Sequence, residues 1–278
     1  MTKRTDTEHR GVNVFPSTKK LSVQVSLNGL SFSVLDVEAR RLETAGRYWF
    51  PRAVQEENLR DQIQPVMDQF GLTESSFDQI QLIYQTGRFA LVPAELFDQA
   101  CLPHYLKLNA RLESNQWPRF DNLAGDQMYN VYLTYPEVDR WFSEQFEWVD
   151  IRHSGSVLID SFLLHPHWDH RPHCFVRVGI RNMEVVLIRE QALLAYNIFP
   201  FSNQEDFLYY LLMLMEQSQI DPEEVDVNLF GEVDPDHPFF KLAYRYIRNL
   251  HMLDPEYEFE ISEEIPLQQL DYTVIQGF

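Results

Sequence analysis

Apolar and polar positions alternate from Leu21 to Leu27, with Ser22, Gln24 and Ser26 between Leu21, Val23, Val25 and Leu27. A period of two puts one set on each face of a strand. Asn28-Gly29 follows, and Leu30 to Asp36 alternates again. An Asn-Gly between two alternating runs predicts a hairpin. Leu42 to Phe50 supplies a third strand. Pro51 introduces a helix, with Val54, Leu59, Ile63, Val66, Met67 and Phe70 near helical spacing and Gly71 as C-cap. Pro65 is expected to bend or shorten it.

The same succession returns at Cys174. Runs at Phe175–Ile180, Met183–Ile188 and Leu193–Phe199 are separated by Arg181-Asn182 and Glu190-Gln191, which predicts a three-stranded meander. Ser202-Asn203-Gln204-Glu205 reads as a capping box, S-x-x-E. Behind it Phe207, Leu208, Leu211, Leu212, Leu214 and Met215 form one helical face. Val225–Phe230 is a strand ending at Gly231. A helical stripe runs from Phe239 to Leu250, and Glu256–Ile261 and Tyr272–Ile275 can each add a strand.

Between the meanders, strands are expected at Ile80–Tyr84, Phe89–Val92, Met128–Tyr135 and Val149–Ile151. Pro93–Phe97 opens a helix with proline near its first position, and Pro136–Phe146 forms another. Ser156–Leu164 fits either a helix or a strand. The expected division is a flexible tail over 1–18, a first lobe over 19–164, a polar hinge over 165–173 and a second lobe over 174–278. A chain of 278 residues, 45 % of them hydrophobic, is long enough for two lobes with cores of their own.

Charge narrows the choice of partners. The formal net charge is −19, and Ser202 to Asp236 holds ten acids and no base. Nucleic acid and anionic lipid are therefore poor partners. Two cysteines without a C-x-x-C, no apolar run of membrane-spanning length and no signal-peptide core together point to the cytoplasm, with no direct membrane insertion.

The repeated order of strand, strand, strand, helix, strand resembles the actin-like ATPase superfamily, a duplicated ribonuclease H-like α/β fold with a mixed sheet flanked by helices in each lobe. The chain is similar in this to the assembly proteins PilM and the cytoplasmic domain of GspL, and to an uncharacterised family typical of Bacteroidota. The resemblance implies two phosphate loops, each with Asp-x-Gly, and an adenosine loop with Gly-Gly. At those positions the chain has Ser26 and Asn28, then Arg177 and Gly179, then Gly231 and Glu232. Both aspartates are replaced. They would hold the magnesium that neutralises the transferred phosphoryl group, and neither a serine nor an arginine does so. The resemblance therefore implies a pseudo-ATPase: a catalytically inert cytosolic binding or assembly scaffold with no cofactor and an unidentified protein partner.

A second motif suggests an alternative. His165-Pro166-His167-Trp168-Asp169-His170 matches H-x-H-x-D-H, the signature of metallo-β-lactamase-like hydrolases. In that family the first two histidines hold one zinc, and the aspartate and last histidine help hold a second. His173 and Cys174 are nearby, and His237 and His251 follow, the latter in the expected helical stripe. A metal-dependent hydrolase built on His165, His167, Asp169 and His170 is the alternative. However, prolines at 166 and 172 prevent a continuous helix, and extended chain sends alternate side chains apart, so the stretch reads as a solvated linker.

Overall fold

The computed structural model describes residues 18–109, 116, 118–123, 125, 127–164 and 170–278. The expected tail, apart from position 18, lies outside the described residues.

Both meanders form. β1 (Lys19–Ser26), β2 (Gly29–Asp36) and β3 (Arg41–Trp49) are followed by α1 (Glu56–Gln69) and β4 (Gln79–Tyr84). An insertion then carries β5 (Phe89–Pro93), α2 (Leu102–Tyr105), β6 (Arg119–Leu123) and β7 (Met128–Tyr132). α3 (Pro136–Gln145), β8 (Val149–His153) and α4 (Ser154–Leu163) complete the first half. The second half repeats the plan with β9 (His173–Val178), β10 (Asn182–Arg189), β11 (Ala192–Pro200), α5 (Gln204–Gln217), β12 (Asp226–Gly231), α6 (Pro238–Ala243) and β13 (Asn249–Met252). β14 (Glu260–Ile261) and α7 (Tyr272–Ile275) end the chain.

The sheet orders show the duplication. The first sheet runs β14-β3-β2-β1-β4-β8 and the second β11-β10-β9-β12-β13; β5-β7-β6 form a small third sheet. Without β14, each main sheet reads third, second, first, fourth, fifth. In each, the meander is antiparallel and the last two strands add in parallel. A register irregularity falls in the second–third strand pair of each, at Val34/Leu35 and at Leu187/Ile188. The helices after the meanders even end alike. At the end of α1, Gly71 N–H bonds Asp68 O and Leu72 N–H bonds Met67 O; at the end of α5, Gln219 and Ile220 bond Glu216 and Met215. This is the paired closure that needs a left-handed residue after the cap, and φ is +67° at Gly71 and +56° at Gln219.

Each sheet has an outer face packed on helices. Leu59, Ile63 and Met67 of α1 and Phe142 of α3 meet Val23, Val25 and Leu82 in the first lobe. In the second lobe, Phe207, Leu211 and Met215 of α5 meet Val176, Val185 and Val227. Each such side chain taken fully from water contributes about 1.5–3 kcal/mol. The lobes join through α4, whose Leu158, Ile159 and Phe162 pack on Phe175, Val186 and Tyr196 of the second sheet's inner face.

Several local expectations are corrected. α1 continues through Pro65 to Gln69, held by the burial of Ile63, Val66 and Met67 around the missing hydrogen bond. The turn after β1 is Leu27-Asn28; Gly29 instead pairs as the first residue of β2, where a Cβ would lie 2.3 Å from Tyr48 O. The cap of α5 is Asn203, whose Oδ1 accepts from Asp206 N–H, while Asp206 accepts from Ser202 N–H. The cap thus lies one residue later than the S-x-x-E spelling, and the return bond goes to the residue before it. Pro93–Phe97 yields only a 3-10 turn at Ala94–Leu96. The stripe from Phe239 breaks after Ala243, so His251 sits in β13. Tyr272–Ile275 is a helix, because Asp271 Oδ1 accepts from Thr273 N–H and caps it. Ser156–Leu164 resolves as α4, capped by His153 Nδ1 accepting from Gly155 N–H.

Candidate functional site

The inner face of the second sheet carries two charges. Arg177 on β9 and Glu184 on β10 are direct cross-strand partners, and both are buried. Arg177 Nη1 donates to Glu184 Oε1 at 3.1 Å. Glu184 also accepts from Gln85 Nε2 at 2.6 Å, Ser154 Oγ at 2.7 Å and Tyr196 Oη at 2.7 Å. Gln85 follows β4 and Ser154 opens α4, so this carboxylate fastens the first lobe to the second. Burial, and then the Glu184 charge, push the Tyr196 hydroxyl well above its ordinary range.

The other half of Arg177 is held by the C-terminus. Its Nη2 donates to Asp271 Oδ2 at 2.7 Å. The same oxygen accepts from Ser31 Oγ on β2 at 2.9 Å, and Arg47 Nε on β3 lies 4.0 Å away. Arg47 in turn donates to Glu232 Oε1 at 2.5 Å and to the backbone oxygen of Leu270. The result is an alternating line of charges: Glu184, Arg177, Asp271, Arg47, Glu232. Burial alone would raise the Asp271 carboxyl, but Arg177 and Arg47 outweigh it and hold it at about 2. Burial likewise opposes the Arg177 charge, and Asp271 with Glu184 raises its pKa regardless.

These facts place the residues singled out from the sequence. Gly179, Gly231 and Glu232 line one cavity of about 1000 Å³ between the second lobe and the C-terminal residues. Arg177 adjoins it through Asp271, which sits between the lining residues Leu270 and Tyr272. Gly231 has φ +94°, and a Cβ there would lie 2.3 Å from Val178 O, so only glycine suits the position. Ser26 and Asn28 do not line that cavity. Ser26 Oγ donates to Gly29 O and accepts from Asn28 N–H, each at 3.2 Å, so it closes the hairpin turn. Leu27, between them, borders a separate cavity of about 460 Å³ with Val54 and Glu56. The two expected phosphate-loop positions therefore do not share a pocket.

Sequence reasoning missed Glu184, Asp271, Arg47 and Ser31. Glu184 had a readable signal, as the one acid in an apolar run, but its place opposite Arg177 follows from a turn at Ile180-Arg181, one residue earlier than the expected Arg181-Asn182. Asp271 had none, because its partners are far away in sequence.

His165, His167 and Asp169 lie outside the described residues; His170 is exposed. His173 and Cys174 face opposite sides of β9, Cys174 into the outer core and His173 beside Phe175. His237 accepts from Phe239 N–H as the cap of α6. Among the described residues, no group of three or more His, Cys, Asp or Glu side chains is placed to hold a metal ion. No helix among them is long and apolar enough to cross a membrane.

The architecture has solved counterparts. The chain is similar to a protein of Bacteroides thetaiotaomicron VPI-5482 with an actin-like ATPase fold and unknown function, with TM-score 0.73 and 18 % identity over 85 % of this chain and 91 % of that one. It is similar to a chain of the PilM-PilN type IV pilus biogenesis complex, with TM-score 0.61 and 13 % identity over 94 % and 98 %. It is also similar to the ethanolamine utilization protein EutJ of Carboxydothermus hydrogenoformans, with TM-score 0.51 and 10 % identity over 96 % and 90 %. At such identities these likenesses establish the fold: the chain has the two-lobed actin-like ATPase fold. No curated protein matches the sequence. Residues 15–250 match the family described as protein of unknown function (DUF3822), and the chain belongs to that family.

Proposed function

We propose that this protein is a pseudo-ATPase: an actin-like chain that serves in the cytoplasm as a binding or assembly scaffold and does not hydrolyse magnesium ATP. One observation carries the reading. Arg177, at the second phosphate-loop position, is buried and already paired with Glu184 and Asp271. A guanidinium engaged by two carboxylates is not available to a phosphate, and the carboxylates are themselves occupied by donors and not turned toward a metal. Ser26, at the first loop, closes its own turn. The PilM-PilN complex supports the scaffold half of the reading, since there a chain of this fold works with another protein. Tyr209, 62 % exposed on α5 within the acidic sequence Ser202 to Asp236, is a candidate contact for such a partner.

Isothermal titration with ATP and magnesium, together with a phosphate-release assay, tests the proposal. The expected result is no turnover and binding no tighter than about 1 mM, an affinity of only about −4 kcal/mol. Micromolar binding that Arg177→Ala abolishes would overturn it.

A further inference from the structure

The inner face of the first sheet is polar, yet it is covered. Ser22, Gln24, Ser31, Ser33 and Gln81 share that face by register and are all buried. The cover is the segment 254–278, which leaves the second lobe after β13 and returns to the first. Its backbone pairing with that lobe is short. β14 makes two register pairs with β3, and α7 lays a single turn across β1 and β2. Ile265 and Ile275 pack on Leu35 and Leu42 at one end.

The rest of the contact is poorly matched. Ser22 Oγ, Gln24 Oε1, Ser33 Oγ and Gln81 Oε1 on the sheet, and Thr273 Oγ1 on α7, are buried with no hydrogen-bond partner among the described residues. Folded proteins leave only a few such atoms per hundred residues, because each forfeits its hydration without compensation. Here five fall in one interface. Exposing this face to water would satisfy them all. Opposing that gain are the buried Val274 and Ile275, the stacking of Tyr272 on Phe162, the bonds of Arg47 to Gln269 and Leu270, and Asp271, which takes hydrogen bonds from Ser31 of the first lobe and Arg177 of the second. Glu184 meanwhile holds Gln85 and Ser154 without help from the C-terminus, so the lobes stay joined whether or not the segment is docked.

We propose that residues 254–278 are a strap that undocks from the first lobe, taking β14 with it, while the other strands of both sheets remain folded, with Asp271 as its catch. Undocking bares a face of hydroxyls and carboxamides beside Arg47 and Arg177, and it opens the wall of the 1000 Å³ cavity, which the strap supplies through Pro255, Tyr257, Leu267 and Leu270. The inference goes beyond the pseudo-ATPase reading and stands whether or not a nucleotide binds.

Native-state hydrogen exchange of the full chain, followed by mass spectrometry, tests it. The amides of Glu260, Ser262 and Gln276, all hydrogen-bonded in the docked strap, are expected to exchange at least about tenfold faster than those of β1 and β9. Asp271→Asn should speed the strap by roughly a further tenfold, so that it still exchanges ahead of β9 and β10. Ser22→Ala with Ser33→Ala removes two of the uncompensated hydroxyls and should slow the strap. Strap and sheets exchanging together at one rate in the wild-type chain would overturn the proposal, as would a Ser22→Ala/Ser33→Ala chain whose strap exchanges no more slowly.

Discussion

Arg177 Nη2 lies 2.7 Å from Asp271 Oδ2, and the two residues are 94 positions apart in the chain. One belongs to the first strand of the second lobe's meander, the other to a segment that docks on the first lobe. This contact, in a water-poor setting, ties the C-terminal segment to the second lobe through a buried ion pair.

That pair sets an acid dependence. Asp271 is held at about 2, against roughly 3.9 for an unfolded aspartate. Because the folded value is the lower one, the stabilisation is fully present above the unfolded value and is lost as pH falls through the folded value. The difference amounts to about 2 kcal/mol at neutral pH. Urea unfolding of Asp271→Asn should show a deficit of that order at pH 7, shrinking toward zero near pH 2.

His153 governs a higher window. Its Nδ1 accepts from Gly155 N–H, so its Nε2–H donates to Thr86 O at 2.8 Å, and the ring is neutral. Burial lowers its pKa. Below about 6.5 the unfolded chain takes up this proton while the folded chain does not, so stability falls as the solution is acidified from there. The urea midpoint of the wild-type chain should decline between pH 6.5 and 5, and His153→Gln should flatten that slope. Equal slopes in the two chains would show that His153 is not the group responsible.

Arg177→Met should be more damaging than any single surface change. It leaves Glu184 and Asp271 facing each other's neighbourhood without the intervening cation. Removing one member of a buried pair costs about 3–5 kcal/mol. Chemical denaturation measures the loss directly. In a double-mutant cycle with Glu184→Gln the coupling should exceed about 1 kcal/mol, since the two side chains are in contact.

Two glycines with positive φ should respond differently to alanine. Gly71 has nothing within 4 Å of a built Cβ, so Gly71→Ala pays only for backbone conformation, about 1 kcal/mol. Gly231 pays that and must also displace Val178 O, so Gly231→Ala should cost at least twice as much. Thermal unfolding of the two variants side by side gives the ranking; equal shifts would contradict it.

The histidine stretch gives a metal prediction. Protein purified without chelator should carry less than about 0.1 zinc per chain by elemental analysis, and His165→Ala with His167→Ala should leave thermal stability unchanged. A structural site of this kind would bind tightly enough for stoichiometric metal to survive purification. Zinc at one or two per chain would restore the hydrolase alternative.

Much of the fold was legible along the chain. Period-two alternation from Leu21 and the three apolar runs from Phe175 are local signals, since a strand's two faces are written in adjacent residues. The strands and helices they mark appear where expected, and their repeated order carried the actin-like resemblance.

What the pattern around Leu21 leaves open is what its polar face meets. Ser22 and Gln24 read like residues turned to water, and alternation cannot say whether a face is solvated or covered by chain from elsewhere. The sequence by itself determined the two meanders and the helices behind them, because each rests on residues near one another in the chain. Only the tertiary structure decided that the C-terminal residues return to cover the first sheet, that Asp271 meets Arg177, and that Ser26 lies outside the cavity that Gly231 lines. Those outcomes depend on contacts between residues up to 240 positions apart, such as Ser31 with Asp271, and no local periodicity encodes such a contact.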